Sequence, residues 1–319
     1  MKNFEDKNIL ITGGTGFIGS HLAEDLANEH ANVITTFQSI NPSSYFYSQK
    51  LDKKVIMINL DVCNFDSIID LVTKYEVEYI FHLAAQPLVE VAYRNPIRTL
   101  YSNILGTINV LECARVFPKI KGVIVASSDK SYGKLDKKKY LETDPLLGDH
   151  PYEVSKAAAH LISYSYFKTY HIPVVVTRFG NVYGEGDLNF SRIIPGIMKT
   201  ILTGKTLKIR SDGKYVRDYL YVKDVIKGYL LLARNIDAIK GEAFNFGSDE
   251  TLSVTDIIKI VEAALNRKIR FQILNTAKNE IPYQSLDYSK IKNKLGWSPK
   301  YKISRVIKKV EKWYKGILL

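Results

Sequence analysis

The stretch Asn8-Ile9-Leu10-Ile11-Thr12-Gly13-Gly14-Thr15-Gly16-Phe17-Ile18-Gly19 decides the fold. Its first four residues form a short apolar strand, and His21-Leu22-Ala23-Glu24-Asp25-Leu26 behind it has helical spacing, so a strand, a glycine turn and a helix follow in that order. Gly14, Gly16 and Gly19 match G-x-G-x-x-G in the setting that gives the pattern its meaning. That setting is a tight turn, close approach of backbone to a pyrophosphate, and the pyrophosphate at a helix N-terminus. Gly13, Gly16, Phe17, Ile18 and Gly19 are therefore expected to hold a dinucleotide.

Outward from this turn, strands and helices alternate. The second strand, residues 32–37, ends in Phe37-Gln38-Ser39 with no carboxylate for a ribose 2′-hydroxyl, and no arginine or lysine lies nearby for a 2′-phosphate. NAD is taken as the cofactor, with NADP left open. The third strand, residues 55–60, runs into Asp61 and Val62; Asp61 is either an adenine contact or the N-cap of a helix over residues 65–75. The fourth, residues 79–86, ends in Leu83, Ala84, Ala85 and Gln86, small enough at the alanines for a cofactor to lie against the backbone, while His82 reads as a packed strand histidine. Residues 99–117 form an amphipathic helix carrying Asn103, residues 123–126 a buried strand ending at Ser127, and residues 173–178 a sixth strand. This alternation predicts an α/β fold, a Rossmann-like doubly wound parallel sheet with ligands at the carboxyl ends of its strands.

Beyond residue 180 the pattern changes to loops, short strands and helices over residues 193–202, 222–233 and 254–265, with a closing helix whose apolar stripe is Ile303, Val306, Ile307, Val310 and Trp313. The expected division is a dinucleotide-binding domain over 1–180, with 216–247 packing back onto it, and a smaller interleaved C-terminal lobe from 181–215 and 248–319. Asn181, Arg192 and Arg210 in that lobe, with Arg217 at the start of 216–247, could clamp a diphosphate opposite the cofactor.

The chemistry gathers between Ser127-Ser128-Asp129-Lys130 and Tyr152-Glu153-Val154-Ser155-Lys156. Tyr152 opens a helix, so Tyr152 and Lys156 share a face one turn apart. A phenol is a poor base at its ordinary pKa of about 10. An ammonium beside it favours the phenolate, and Ser128 could hold the same substrate hydroxyl from the strand end. Asp129 adds a carboxyl that proton removal alone does not need.

A net charge of +12 allows a nucleic-acid partner, but the lysines are scattered singly over helix faces, so the charge reads as solvated surface and no nucleic-acid partner is expected. The two cysteines, Cys63 and Cys113, have neither disulfide nor metal-ligand spacing. No apolar run approaches a membrane span and residues 1–6 are no signal peptide, which together predict a cytoplasmic chain without membrane or metal.

With these residues in hand, the chain resembles the extended short-chain dehydrogenase/reductase family of nucleotide-sugar epimerases and dehydratases. The resemblance runs through the glycine turn, Asp61, His82-Leu83-Ala84-Ala85, Asn103, Tyr152-x-x-x-Lys156, Arg178-Phe179-Gly180-Asn181-Val182-Tyr183-Gly184 and Arg217-Asp218-Tyr219. Ser128-Asp129-Lys130 is similar to the CDP-glucose 4,6-dehydratase branch. The resemblance implies that Tyr152 deprotonates a sugar C4 hydroxyl as hydride passes to NAD, Lys156 orients the ribose, Ser128 binds the C4 oxygen, and Asp129 protonates a departing C6 oxygen. Lys130 stands where relatives have a glutamate that takes the C5 proton; it is either that base, an ion-pair partner of Asp129, or a contact to phosphate. The expected partners are a nucleotide-diphosphate sugar and a second copy of the chain, paired through the helices over 99–117 and 154–170. The same residues without Asp129 would serve a 4-epimerase or 4-dehydrogenase.

Overall fold

Ile9 and Ile11 lie on one face of the first strand, Asn8–Thr12, and Leu10 on the other, because side chains alternate along a strand. Phe81 and Ile124 join Ile9 and Ile11 in one apolar cluster. Ile34, Ile80, Val123 and Val125 join Leu10 in a second, on the opposite side. A sheet that is apolar on both faces must be covered on both, and the helices between the strands do this.

The structure is a computed structural model that describes residues 4–276 and 281–319. The first three residues of the stretch read as lacking a signal pattern, and residues 277–280 of the expected small lobe, lie outside the described residues. Seven parallel strands form the main sheet in the order Ala243–Phe246, Val174–Phe179, Gly122–Ala126, Tyr79–His82, Asn8–Thr12, Asn32–Phe37, Ile56–Asn59. The strand order reverses beside Asn8–Thr12, and the crevice between the carboxyl ends of Asn8–Thr12 and Tyr79–His82 is where a doubly wound sheet accepts a ligand.

A smaller sheet takes strands from both halves of the chain. Val216–Tyr221 is flanked by Thr251–Ser253, Tyr283–Leu286 and Asn181–Tyr183, and Lys139–Tyr140 pairs with the far side of Tyr283–Leu286. Lys139–Tyr140 thus leaves the first 180 residues to join the small sheet, while Ala243–Phe246 returns to the edge of the main one. Leu207–Ile209 and Phe271–Ile273 form a separate pair.

Three expected elements differ, the first being the strand expected over 79–86, which ends at His82. The helix expected over 99–117 is built as Pro96–Leu100, a π-helical turn Tyr101–Leu105, and Gly106–Val116. Asn103 lies in that π-turn and is buried. In the closing helix, Ile303–Leu318, Tyr314 takes the buried place assigned to Trp313; its hydroxyl donates to the Asp187 carbonyl at 2.5 Å, so the phenol has a partner there. No helix among the described residues is long and apolar enough to cross a membrane.

Candidate active site

Helix Phe17–Asn28 begins at Gly16 with no side-chain cap and no acidic residue in its first turn, so its first N–H groups and its partial positive charge are available to an anion. Gly13 has φ +71°, and a β-carbon there would stand 3.0 Å from the Ala84 Cα. A β-carbon on Gly19 would lie 2.4 Å from the Gly13 carbonyl oxygen, whereas on Gly16 the nearest atom is that same oxygen at 3.3 Å. The fold itself therefore demands glycine at 13 and 19. Gly16 leaves open space beside an uncapped helix terminus, which is the fit a pyrophosphate requires.

Around this cradle the chain ties itself together. Asp61 accepts from the Cys63 N–H at 2.9 Å, and the cap of helix Phe65–Lys74 is Asn64, which accepts from the Ser67 N–H at 3.0 Å. The N-cap reading of Asp61 is thus corrected, and its side chain lies exposed. The carbonyl of Val62 accepts from Asn109 Nδ2 at 2.9 Å. Asn103, expected as a cofactor contact, is 2% exposed and used within the chain: Oδ1 accepts from the Gln86 N–H at 2.7 Å, and Nδ2 donates to Ser155 Oγ at 2.9 Å. Gln86, expected to touch substrate, turns its own amide back onto the Leu88 backbone. Leu83 and Ala85 leave the strand end half-buried, and Ala84 N–H donates to Thr12 Oγ1 at 3.2 Å. His82 is a packed strand histidine, its ring nitrogens on Thr12 and Thr107 at 2.8 and 3.2 Å, and burial pushes its pKa down to about 3.

Ser127 Oγ donates to the Lys156 carbonyl at 2.8 Å, fixing the end of Gly122–Ala126 to helix Pro151–Tyr170. Ser128 caps the short turn Asp129–Tyr132, accepting from the Lys130 N–H at 3.2 Å and donating to Asp129 Oδ1 at 2.9 Å. Asp129 is 5% exposed. Arg178, fully buried, donates to the Tyr132 hydroxyl and lies 4.6 Å over its ring, while that hydroxyl donates to Asn245 Oδ1 at 2.8 Å. The turn carrying Asp129 and Lys130 is so bolted to the edge strand of the main sheet.

Tyr152 and Lys156 share a face of helix Pro151–Tyr170, but the lysine's effect on the phenol differs from expectation. Lys156 Nζ donates to the Ala126 carbonyl at 2.7 Å, and burial lowers its pKa to about 8. Burial also pushes Tyr152 up, against the Ser128 hydroxyl and the Arg192 charge, which favour the phenolate; Asp129 and Glu153 reinforce the rise. Desolvation of an anion outweighs its helpers here, so no lowered phenol is found. Lys130 lies 3.6 Å from Asp129 Oδ2, and burial pulls its pKa below the ordinary lysine range; Asp129 and Glu153 oppose that shift, and Arg217 adds to it.

Of the expected diphosphate contacts, Arg192 and Arg217 bring charge to the site, felt at Tyr152 and at Lys130 respectively. Arg192 is paired with Asp187 at 3.2 Å, and Arg217 Nη1 donates to its neighbouring Val216 carbonyl at 2.8 Å. Arg210 ion-pairs with Glu90 at 2.5 Å on the surface, both side chains more than half exposed. Asn181 pairs in register with Tyr219 and is half-buried. Three residues of the site lie outside the motifs or unremarked within them: His150, whose ring meets Glu153 at 3.3 Å beside Tyr152; Glu153 itself; and Gln284, which reaches the Asp129-Lys130 turn from the small sheet.

The family model described as GDP-mannose 4,6 dehydratase matches residues 10–310. The CDP-glucose 4,6-dehydratase of Salmonella typhimurium is 29% identical over 99% of this chain and 92% of its own, and the UDP-glucuronate 4-epimerase of Thermodesulfobacterium geofontis 30% over 96% and 95%. The chain spans only 48% of a 30%-identical trifunctional UDP-glucose 4,6-dehydratase, 3,5-epimerase and reductase of Arabidopsis thaliana. Among solved structures, the dTDP-glucose 4,6-dehydratase of Streptomyces venezuelae with NAD bound superimposes with a TM-score of 0.86 at 26% identity, covering 97% of each chain. The UDP-glucuronic acid 4-epimerase of Bacillus cereus, with NAD and UDP-glucuronic acid, gives 0.88 at 28%, covering 97% of this chain and 99% of its own. NAD in these relatives is consistent with the glycine turn described above. The chain belongs to the GDP-mannose 4,6 dehydratase family, within the NAD-dependent extended short-chain dehydrogenase/reductase group of nucleotide-sugar dehydratases and epimerases.

Proposed function

We propose that this protein is a nucleotide-sugar 4,6-dehydratase, converting an NDP-hexose to an NDP-4-keto-6-deoxyhexose, with CDP-glucose the first substrate to try. The observation that carries this reading is Asp129: a carboxyl 5% exposed, hydrogen-bonded by Ser128 and close enough to act on Tyr152. An enzyme that only oxidises and re-reduces C4 has no use for a second acid at that point.

Gly13, Gly16, Phe17, Ile18 and Gly19 would hold the NAD pyrophosphate, and Asp61, Val62, Leu83, Ala84, Ala85 and Ser127 would line its path. Bound NAD supplies hydride acceptance and return. Tyr152 acts through its minor phenolate form, which the Ser128 hydroxyl and the Arg192 charge favour, to take the C4 hydroxyl proton while Ser128 holds that oxygen, and Lys156 anchors the ribose from the same helix face. The 4-ketone so formed acidifies the C5 proton, which Lys130 takes, and Asp129 gives a proton to the C6 oxygen as it leaves. Arg192, Arg217 and Asn181 hold the substrate's diphosphate side.

A 4-epimerase is the second reading, favoured by the equally close fold of the epimerase relatives. Incubation with a panel of nucleotide sugars separates the two by product mass: the dehydratase yields a product lighter by one water, the epimerase one of unchanged mass. We also propose that the chain acts in the cytoplasm as a homodimer. Ile97 and Leu161 are 69% and 57% exposed, with Tyr101, Val154 and Tyr164 also exposed on the same pair of helical stretches, and a second copy would cover them.

A further inference from the structure

Lys130 is the residue of the site whose role is least settled by its neighbours in sequence, and its nearest oxygen partner comes from far away. Gln284, 1% exposed in strand Tyr283–Leu286, accepts from Lys130 Nζ through Oε1 at 2.5 Å. Its Nε2 donates to the Asp129 carbonyl at 2.9 Å. The second bond fixes the first, because turning the amide over would set NH₂ against the amine and oxygen against a carbonyl. The Asp129 carboxyl is the more distant partner, at 3.6 Å.

We propose that Gln284 is a positioning residue for Lys130: it holds the amine beside Asp129 with a neutral acceptor, leaving the amine able to release a proton and take another. A carboxylate in this place would fix the ammonium by its charge; an amide oxygen binds amine or ammonium without adding one. The charged groups acting on Lys130 are Asp129, Glu153 and Arg217, and Arg217 stands in direct register with Gln284 across the paired strands. In the elimination the neutral amine takes the C5 proton and becomes ammonium. The C5–H electron pair becomes the C5–C6 double bond, and the C6–O bond breaks with its oxygen leaving as water on the Asp129 proton. The part played in turnover rests on the dehydratase reading; control of the amine's proton does not.

The test compares the parent with Gln284→Glu and Gln284→Met. Acetic anhydride labelling of Lys130 against pH, read by peptide mass, gives the titration midpoint, and single turnovers follow cofactor absorbance and product. Gln284→Glu should raise the midpoint by about one unit or more. It should slow elimination roughly tenfold at neutral pH, with recovery at higher pH and with NAD reduction retained. Gln284→Met should lower the midpoint, since the ammonium loses its acceptor, and should slow elimination without recovery at high pH. The proposal is overturned if the midpoint is unmoved in either folded variant, or if both variants slow both half-reactions equally. If the parent releases no water from any nucleotide sugar, the dehydratase reading falls and the labelling midpoints alone decide the role of Gln284.

Discussion

Tyr152 and Lys156 occupy a site that resists charge on both, the phenol pushed up and the amine down to about 8 by the same burial. The pairing is legible from a four-residue spacing; the direction of the shifts is not, since desolvation is set by residues brought in from the whole fold. Tyr152→Phe keeps the ring and removes the proton acceptor, so reduction of bound NAD by substrate should fall by about a thousandfold. A variant that reduces NAD at the parent rate would remove Tyr152 from the chemistry. Ser128, Asp129 and Lys130 were readable because they adjoin one another, whereas Gln284 meets Lys130 across 154 residues and sits in no motif. His82 gives a stability test. Its folded pKa of about 3 lies below the unfolded value near 6.5, so the unfolded chain binds the extra proton and stability is lost as pH falls from about 6.5 toward 3. By pH 5 this costs on the order of 2 kcal/mol. His82→Gln should flatten urea-unfolding stability between pH 7 and 5 by that amount, and an unchanged slope would show that His82 is not the group responsible.

The glycine turn separates folding from binding within a single element. A β-carbon on Gly19 must displace the Gly13 carbonyl, while one on Gly16 meets only that oxygen, at 3.3 Å. Gly19→Ala should therefore destabilise the protein by roughly 2–4 kcal/mol. Gly16→Val should fold and melt near the parent yet bind NAD about a hundredfold more weakly, on the order of 3 kcal/mol of lost contact. Calorimetric titration and thermal melting check both, and parental affinity in folded Gly16→Val would remove the turn from the cofactor site. Long, strongly patterned elements were legible: strand Asn32–Phe37 and helix Val254–Leu265 have the bounds their patterns predict. Lys139–Tyr140, Asn181–Tyr183 and Tyr283–Leu286 were not, because two to four residues are too short to show a period. The π-turn Tyr101–Leu105 was hidden for another reason: nothing in its residue types separates it from the α-helical turns on either side.

At the scale of the whole molecule, alternation of strand and helix was enough to give the doubly wound sheet, while the exchange of Lys139–Tyr140 and Ala243–Phe246 between sheets emerges only from pairing. Much of the basic surface is paired in exposed bridges such as Lys119–Glu76 and Lys294–Glu242, in keeping with solvated charge. The proposed dimer predicts twice the chain mass by light scattering at micromolar concentration, and Leu161→Glu should give a monomer that melts at or near the parent temperature; a monomeric parent would refute it. The proposed mechanism gives oxidation at C4 and loss of water to different side chains. Asp129→Asn, which keeps the shape but loses the transferable proton, tests it in a single turnover on the nucleotide sugar the parent accepts, following cofactor absorbance and product mass together. Bound NAD should be reduced and a 4-keto sugar should accumulate while the dehydrated product forms about a hundredfold more slowly. Dehydration at the parent rate would contradict it.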